Sequence, residues 1–122
     1  IVVCNPEFGL SSPALFGRVR VEKLGRRPDH DAMKQALAAG NLGAVARQMG
    51  NVFEEVLTAE ESREIAYLKD VMLRYGALNA VMTGSGPTVF GLFAQKEQAE
   101  RAAQALRSRY AQLFLTTPVQ RV

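Results

Sequence analysis

The feature that most constrains the fold is a four-residue turn, GSGP at positions 84–87, which separates two apolar runs. The runs cover residues 78–83 and 88–94, and neither contains a charged side chain. Short apolar runs joined by a few turn residues that include glycine predict the two strands of a β-hairpin. The fold of this chain is therefore expected to contain a β-sheet on which the other elements pack.

The same turn has a second interpretation, as a backbone site for an anion. Gly84 and Gly86 carry no side chain, so backbone N–H groups in the turn can approach a phosphate closely. Pro87 then directs the chain back into the sheet. Hydroxyl donors flank or lie within the turn at Thr83, Ser85 and Thr88. No lysine follows the second glycine and the turn leads into a strand, which excludes a Walker A loop and the dinucleotide fingerprint. The spacing alone favours an ordinary hairpin turn.

The remaining segments complete a mixed α and β pattern. Residues 1–4 (IVVC) and 112–117 (QLFLTT) predict a first and a last strand. Periodic apolar residues and capping signals predict helices at about 13–19, 29–39, 42–56, 59–75 and 96–109. If the helices before the hairpin form one crossover, the order is βαββαβ, the split βαβ plan of ferredoxin-like folds. We therefore predict one α+β domain over residues 1–122, with extra helices inserted after the first strand.

Capping residues mark the predicted helix boundaries. Ser12 precedes Pro13 and is expected to be an N-cap, and Asn41 is expected to cap a later helix. Thr58 and Glu61 match a capping box. Glycines are expected to end or interrupt helices at Gly40, Gly50 and Gly76.

Apolar positions predict which faces are buried. The helical residues expected to face inward are Met33, Leu37, Leu42, Val45, Met49, Val52, Phe53, Val56, Ile65, Leu68, Met72, Tyr75, Ala99, Ala102, Ala103 and Leu106. On the strand 88–94, Val89 and Phe93 share one face, and Phe90 and Leu92 share the other. Because both faces of this strand are apolar, either the extra helices or an absent domain has to cover the second face.

Composition excludes several classes of protein. A chain of 122 residues that is 48% hydrophobic is expected to form a single core. No apolar run approaches the roughly 18 residues of a membrane helix, and no basic segment precedes the apolar N-terminus as in a signal peptide. Cys4 is the single cysteine, which excludes an internal disulfide and fits a cytoplasmic protein. The net charge of +3 comes without the long basic run typical of nucleic-acid binding.

Few residues outside the turn suggest chemistry. His30, the single histidine, is expected to be an exposed residue near a helix N-cap. Glu54 and Glu55 have carboxylates suited to acid–base chemistry, but solvated helix charges are the simpler interpretation. Cys4, in a strand, is expected to be buried, and no metal-ligand spacing occurs. A cluster of basic side chains is suited to contact phosphates, but a solvated loop is the simpler interpretation of its residues, Arg18, Arg20, Lys23, Arg26 and Arg27.

The segment MTGSGPTVFGLF, between a helix that ends RYGA and a following helix, resembles the third motif of the GHMP kinases. This superfamily is named for galactose, homoserine, mevalonate and phosphomevalonate kinases. The stretches IVVCNPEFGLSSPALFGRV, NVFEEV and LTTPV most resemble the kinases that phosphorylate 4-diphosphocytidyl-2-C-methyl-D-erythritol in the non-mevalonate route to isoprenoids. The resemblance covers essentially the whole chain and is to the C-terminal domain. Since the chain starts IVV without an initiator methionine, we expect a larger protein with an N-terminal domain.

The resemblance implies a full-length kinase that uses ATP and Mg²⁺ and transfers the γ-phosphoryl group to the 2-hydroxyl of that substrate. It places the lysine- and aspartate-bearing catalytic motifs and the main ATP loop in the N-terminal domain. The residues that carry over as one wall of the nucleotide and substrate pocket are Thr83, Gly84, Ser85, Gly86, Pro87 and Thr88. No catalytic residue and no metal ligand is expected here. The chain alone is thus expected to be inactive, to hold neither ATP nor Mg²⁺, and to self-associate through an exposed apolar surface.

Three alternatives accompany this interpretation. Another GHMP kinase would share the motif, because the substrate is chosen mostly by residues outside this chain. A ferredoxin-like regulatory module would bind a small molecule without a second domain. An RNA-recognition module needs aromatics two residues apart on one face, whereas Phe90 and Phe93 are three apart and on opposite faces. The expected partners are therefore the N-terminal kinase domain and a small-molecule substrate, with no nucleic acid and no membrane.

Overall fold

The described part of the chain, residues 1–23, 25 and 28–119 of a computed structural model, contains four strands and five α-helices. The strands are Val2–Asn5 (β1), Asn79–Met82 (β2), Val89–Leu92 (β3) and Gln112–Leu115 (β4). The α-helices are Ser12–Arg18 (α1), His30–Ala38 (α2), Leu42–Gln48 (α3), Ala59–Arg74 (α4) and Lys96–Arg107 (α5). Two 3₁₀ helices lie at Val21–Lys23 and Val52–Val56. The predicted segment 42–56 is thus split at Gly50, as expected.

The four strands form one antiparallel sheet in the order β2-β3-β1-β4. Val3 of β1 is paired with Phe90 of β3 on one side and with Phe114 of β4 on the other. Phe90 is also paired with Val81 of β2. Each crossover joins two strands that are separated by a third, which is the split βαβ arrangement. The predicted α+β fold is therefore confirmed.

One face of the sheet packs on α4 and α5. Val2, Cys4 and Val89 are fully buried on this face and belong to one cluster with Leu68 and Met72 of α4. The same cluster contains residues of α5, namely Ala99, Ala102 and Leu106. The small alanine side chains let α5 lie close to the sheet, so the prediction of an inward alanine stripe is confirmed.

The second face of the sheet is only partly covered. Near β2 and β3 it packs on α2 and α3 through a second cluster of buried residues: Ala46, Met49, Val81 and Leu92. Along the paired row, Val81 is buried, Phe90 and Val3 are half-buried, and Phe114 is 62% exposed. The inserted helices therefore cover the β2 side of this face. They leave an exposed strip, defined here as Phe90, Val3 and Phe114, towards β4.

The predicted helix caps form, with one exception. Thr58 Oγ1 accepts from the N–H of Glu61 at 3.2 Å, and Glu61 Oε1 accepts from the N–H of Thr58 at 2.8 Å. Asn41 Oδ1 accepts from a backbone N–H three residues ahead at 3.0 Å. The exception is α1, whose N-cap is Ser11 and not Ser12. Ser11 has the extended backbone of a cap and accepts from the third residue ahead, whereas Ser12 is already helical.

Three helical side chains predicted to face inward are exposed. Leu42, the first residue of α3, is 38% exposed. Leu37 is 62% exposed, and the neighbouring Ala36 is buried instead, on a helix that packs against α3. Tyr75 is 40% exposed, and Val71 one turn earlier is buried. Since α4 ends at Arg74, Tyr75 no longer follows the helical stripe. The helices α2 and α4 do end, as predicted, near glycines with positive φ, Gly40 and Gly76.

Candidate functional site

The GSGP turn is the tight connection of the β2–β3 hairpin. The N–H of Thr83 donates to the carbonyl of Thr88 at 2.8 Å, and the N–H of Gly86 donates to the carbonyl of Thr83 at 2.9 Å. The peptide between Gly86 and Pro87 is cis. Gly84 and Gly86 have φ values of 55° and 72°, in the left-handed region that other residues avoid. The backbone of the turn therefore requires glycine at both positions.

The two glycines have different surroundings. A Cβ added at Gly86 would lie 2.9 Å from Leu10 Cδ1 and would also collide with the sulfur of Met82, whereas a Cβ at Gly84 would meet nothing within 4 Å. The N–H of Gly86 is used inside the turn. Within the described residues, the N–H groups of Gly84 and Ser85 have no acceptor. Gly84 and Ser85 are thus the part of the turn with donors available to a ligand.

Asn51 ties the turn to the 3₁₀ helix Val52–Val56. Its Nδ2 donates to the carbonyl of Met82 at 2.6 Å and to the carbonyl of Gly84 at 2.7 Å. Its Oδ1 accepts from the N–H of Phe53 at 3.0 Å, which is the N-cap bond of this 3₁₀ helix. One side-chain amide therefore joins the end of β2, the start of the turn and the helix.

Glu54 holds the same strand end from the next turn of that 3₁₀ helix. Its Oε2 accepts from the N–H of Met82 at 3.0 Å, and its Oε1 pairs with Nζ of Lys69 at 2.6 Å. The Glu54 side chain is only 18% exposed, so the prediction of a solvated charge was wrong for this residue. β2 is an edge strand, and the backbone N–H of Met82 points away from β3. The Glu54 carboxylate therefore takes the place of a missing neighbouring strand as the acceptor for this N–H. Glu55 is exposed, and it accepts from the N–H of Gly25 at 2.8 Å.

The helix α1 contacts the turn on another side. The hydroxyls of Ser12 and Ser85 lie 2.7 Å apart. The ring of Phe16 in α1 packs edge-on against Phe53, with 4.9 Å between ring centroids. The turn is therefore held by two segments, α1 with its preceding loop and the 3₁₀ helix after Gly50.

Sequence reasoning missed three side chains that hydrogen-bond to the turn or to the strand end before it. The sequence predicts Ser12 to be a cap and Glu54 to be a solvated helix charge, and it assigns no role to Asn51. All three lie in stretches that carried the family resemblance. Their contacts span from 28 to 73 residues of sequence and have no local signature that periodicity detects.

A cavity of about 420 Å³ opens beside the turn. Its apolar lining includes Met33, Met49, Phe53, Val81 and Phe90, and its polar lining includes His30, Thr83 and Gly84. His30 is the exposed first residue of α2, as predicted, and Asp29 is the N-cap beside it. A mostly apolar cavity with a few polar groups in its lining suits part of a small molecule.

Charged side chains of the two segments that hold the turn form ion pairs. Arg18, predicted to lie in a solvated loop, is instead the last residue of α1 and lies 2.9 Å from Glu61, and Glu54 pairs with Lys69. Arg26 and Arg27 of the predicted basic cluster lie outside the described residues.

Among the residues that are described, no three His, Cys, Asp or Glu side chains lie close enough to hold a metal ion. In that same part of the chain, no helix has the length and hydrophobicity needed to cross a membrane.

Two titratable groups on the α4–α5 side remain protonated at neutral pH. Burial raises the pKa of the Cys4 thiol to about 12, and the carboxylates of Glu64 and Glu7 add to the effect. Burial also raises the pKa of Tyr110, whose hydroxyl donates to Glu64. Cys4 is fully buried, as predicted, and neither group is available as a nucleophile or base.

Comparison with protein families finds a match to the GHMP kinases C terminal family over residues 33–112. The chain is 39% identical to the 4-diphosphocytidyl-2-C-methyl-D-erythritol kinase of Caldicellulosiruptor saccharolyticus, over 96% of this chain and 40% of that protein. It is 34% identical to the kinase of the same name from Clostridium botulinum strain Hall, over 98% of this chain and 42% of that protein. The chain thus spans about two fifths of the length of the curated relatives that it matches.

Solved structures give the same result for the fold. A crystal structure of a 4-(cytidine 5'-diphospho)-2C-methyl-D-erythritol kinase superposes with a TM-score of 0.72 at 28% identity, over 93% of this chain and 40% of that chain. Homoserine kinase from Cytophaga hutchinsonii superposes with a TM-score of 0.69 at 18% identity, over 95% of this chain and 40% of that chain. At that identity, the second structure shows a shared fold and no more.

Proposed function

The chain belongs to the GHMP kinase C-terminal family, and we propose that it forms the C-terminal domain of a cytoplasmic kinase for 4-diphosphocytidyl-2-C-methyl-D-erythritol. The full-length enzyme uses ATP and Mg²⁺ and phosphorylates the 2-hydroxyl of this substrate, a step towards isoprenoid precursors. The observation that carries the proposal is the 39% identity to a kinase of that name along 96% of the chain.

In this proposal the turn from Thr83 to Thr88 forms one wall of the nucleotide and substrate pocket. The backbone N–H groups of Gly84 and Ser85 donate to a phosphate oxygen. Two observations support this role: the space at Gly84 is open, and neither N–H has a protein acceptor in the described residues. Fixed N–H donors stabilise developing negative charge without having to reorient during the reaction. The Met33 and Phe90 side of the neighbouring cavity receives an apolar part of the bound molecule.

The remaining parts of the site belong to the N-terminal domain in this proposal. ATP and Mg²⁺, when bound, supply the phosphoryl group and neutralise its charge. Near the turn, Glu54 is engaged by Lys69 and Met82, so it is not a free carboxylate for a metal ion. We therefore expect the 122-residue chain alone to have no kinase activity.

A phosphoryl-transfer assay tests the proposal. The full-length protein and the 122-residue chain are each incubated with labelled ATP, Mg²⁺ and one of two acceptors, 4-diphosphocytidyl-2-C-methyl-D-erythritol or homoserine. We expect turnover only for the full-length protein with the first acceptor. Turnover with homoserine alone would replace the substrate assignment, and turnover by the 122-residue chain would refute the assignment of catalysis to the other domain.

The regulatory alternative predicts a different binding result. A small-molecule sensor binds its effector without a second domain, so titration calorimetry of the 122-residue chain with ATP and with amino acids distinguishes the two. Our proposal expects no measurable heat of binding for either ligand class. Tight binding of an amino acid by this chain would favour the sensor.

A further inference from the structure

The end of β2 is held in an unusual way, because side chains bind both backbone groups of Met82. Glu54 Oε2 accepts from its N–H at 3.0 Å, and Asn51 Nδ2 donates to its carbonyl at 2.6 Å. These backbone groups belong to an edge strand, where unpaired N–H and carbonyl groups usually face solvent or another chain. If the contacts stopped there, protection of the strand edge would explain them fully.

The Asn51 contact extends beyond the strand. Asn51 Nδ2 also donates to the carbonyl of Gly84, at 2.7 Å. Gly84 lies two residues past Met82, the last residue of β2. That carbonyl shares a peptide unit with the N–H of Ser85, which, like the N–H of Gly84 in the same GSGP turn, has no protein acceptor among the described residues. Because a peptide unit is planar, fixing the Gly84 carbonyl also fixes the direction of the Ser85 N–H. Asn51 therefore orients a donor that the ligand would use.

The amide of Asn51 has one orientation that satisfies all its partners. Its oxygen accepts from the N–H of Phe53 at 3.0 Å, and its two hydrogens go to the carbonyls of Met82 and Gly84. Exchanging oxygen and nitrogen would set the oxygen against two carbonyls and leave the N–H of Phe53 without its acceptor. The turn is thus held in one position by a side chain with no remaining freedom.

From these contacts we propose that Asn51 is a positioning residue of the kinase site and that Glu54 supports it, with neither group touching the reacting atoms. Asn51 directs the Ser85 N–H towards the phosphate, and Glu54 links the strand end before the turn to Lys69 of α4. This inference rests on the proposed function, because it assigns a role within that site. It predicts that loss of the Asn51 amide reduces turnover while the protein stays folded.

The test compares Asn51→Ala with Asn79→Ala in the full-length enzyme. Asn79 is a matched control because its Nδ2 also donates to backbone carbonyls beside β2, those of Ala46 at 2.7 Å and Met49 at 3.4 Å, but it does not contact the turn. Both variants are expected to lower the melting temperature. Only Asn51→Ala is expected to reduce kcat/KM, by about tenfold or more, and to speed amide hydrogen exchange at Thr83 and Gly86, whose N–H groups are hydrogen-bonded within the turn.

A second pair of variants separates hydrogen bonding from general destabilisation. Glu54→Gln keeps an oxygen that accepts from the N–H of Met82 and loses the charge that pairs with Lys69, whereas Glu54→Ala loses both. We expect Glu54→Gln to retain kcat/KM within about threefold and Glu54→Ala to lose more than Glu54→Gln does.

The inference is overturned if Asn51→Ala keeps the kcat/KM of Asn79→Ala, or if exchange at Thr83 and Gly86 is the same in both. If the wild-type enzyme phosphorylates no acceptor, the proposed function fails on its own. Hydrogen exchange then decides alone: faster exchange in Asn51→Ala supports the positioning role, and equal exchange refutes it.

Discussion

Gly86 lies against the side chain of Leu10, so closely that a Cβ on Gly86 would come within 2.9 Å of Leu10 Cδ1. This contact joins the β2–β3 turn to the loop before α1, although the two residues are far apart in the sequence. Gly86 is therefore required for two reasons, its φ of 72° and the absence of space. Gly84, with a φ of 55° and open surroundings, is required for the first reason only.

This difference predicts unequal effects of alanine in the turn. Gly84→Ala is expected to lower the free energy of unfolding by about 1–2 kcal/mol, the cost of a left-handed alanine. Gly86→Ala is expected to cost about 1–3 kcal/mol more, because overpacking adds to the backbone strain. Urea unfolding of the two variants and the wild type measures both values. Equal losses for the two variants would show that the packing at Leu10 does not matter.

The capping box of α4 predicts a cap effect with an internal control. Thr58→Ala removes the hydroxyl that accepts from Glu61 and is expected to cost about 1 kcal/mol of unfolding free energy. Gln95 is the N-cap of α5 and makes no side-chain capping bond. Gln95→Ala is therefore expected to change the stability by less than about 0.5 kcal/mol. Chemical denaturation would contradict the assignment if the two changes were similar.

The buried thiol predicts a loss of stability at alkaline pH. The pKa of Cys4 rises from its ordinary value near 9.0 to about 12 on folding, so the folded state keeps a proton that the unfolded state releases. The contribution of the protonated thiol to the free energy of unfolding is complete below pH 9. It is lost between about pH 9 and 12, at up to about 1.4 kcal/mol per pH unit. Tyr110, whose pKa is also raised, adds a loss in the same direction.

Cys4→Ala tests this assignment through the slope of the unfolding free energy against pH. The absolute stability is not used, because the substitution also removes buried volume. The free energy of unfolding is measured by denaturant titration at several pH values from 8 upwards. The variant is expected to lose stability less steeply above pH 9 than the wild type. Identical slopes would mean that the thiol does not titrate differently in the two states.

The exposed strip predicts self-association of the 122-residue chain. Phe114 is 62% exposed and continues the paired row through Val3 and Phe90, whereas Leu37 is equally exposed but lies on α2 and is not part of that row. Phe114→Asp is expected to reduce concentration-dependent association, and Leu37→Asp is expected to leave it largely unchanged. Sedimentation velocity over a range of concentrations measures both. A wild-type chain that is monomeric at every concentration would refute the prediction.

Local patterns predicted the elements of this fold well. The strands, the capping box at Thr58 and the alanine stripe of α5 all depend on neighbours within about four residues, which periodicity detects. The errors arose where a partner element decides. Leu37 and Ala36 both fit an apolar helix face, and only the tertiary structure shows that Ala36 is the buried one.

The candidate site shows the same division. The sequence alone identified the turn from Thr83 to Thr88, its glycines and the family resemblance, because a tight turn and its backbone requirements are encoded in consecutive residues. The tertiary structure assigned different roles to Gly84 and Gly86 and brought Ser12, Asn51 and Glu54 to the turn or to the strand end before it. Those contacts join residues that are 28 to 73 positions apart, so only the packing of the 3₁₀ helix and α1 beside the β2 edge creates them.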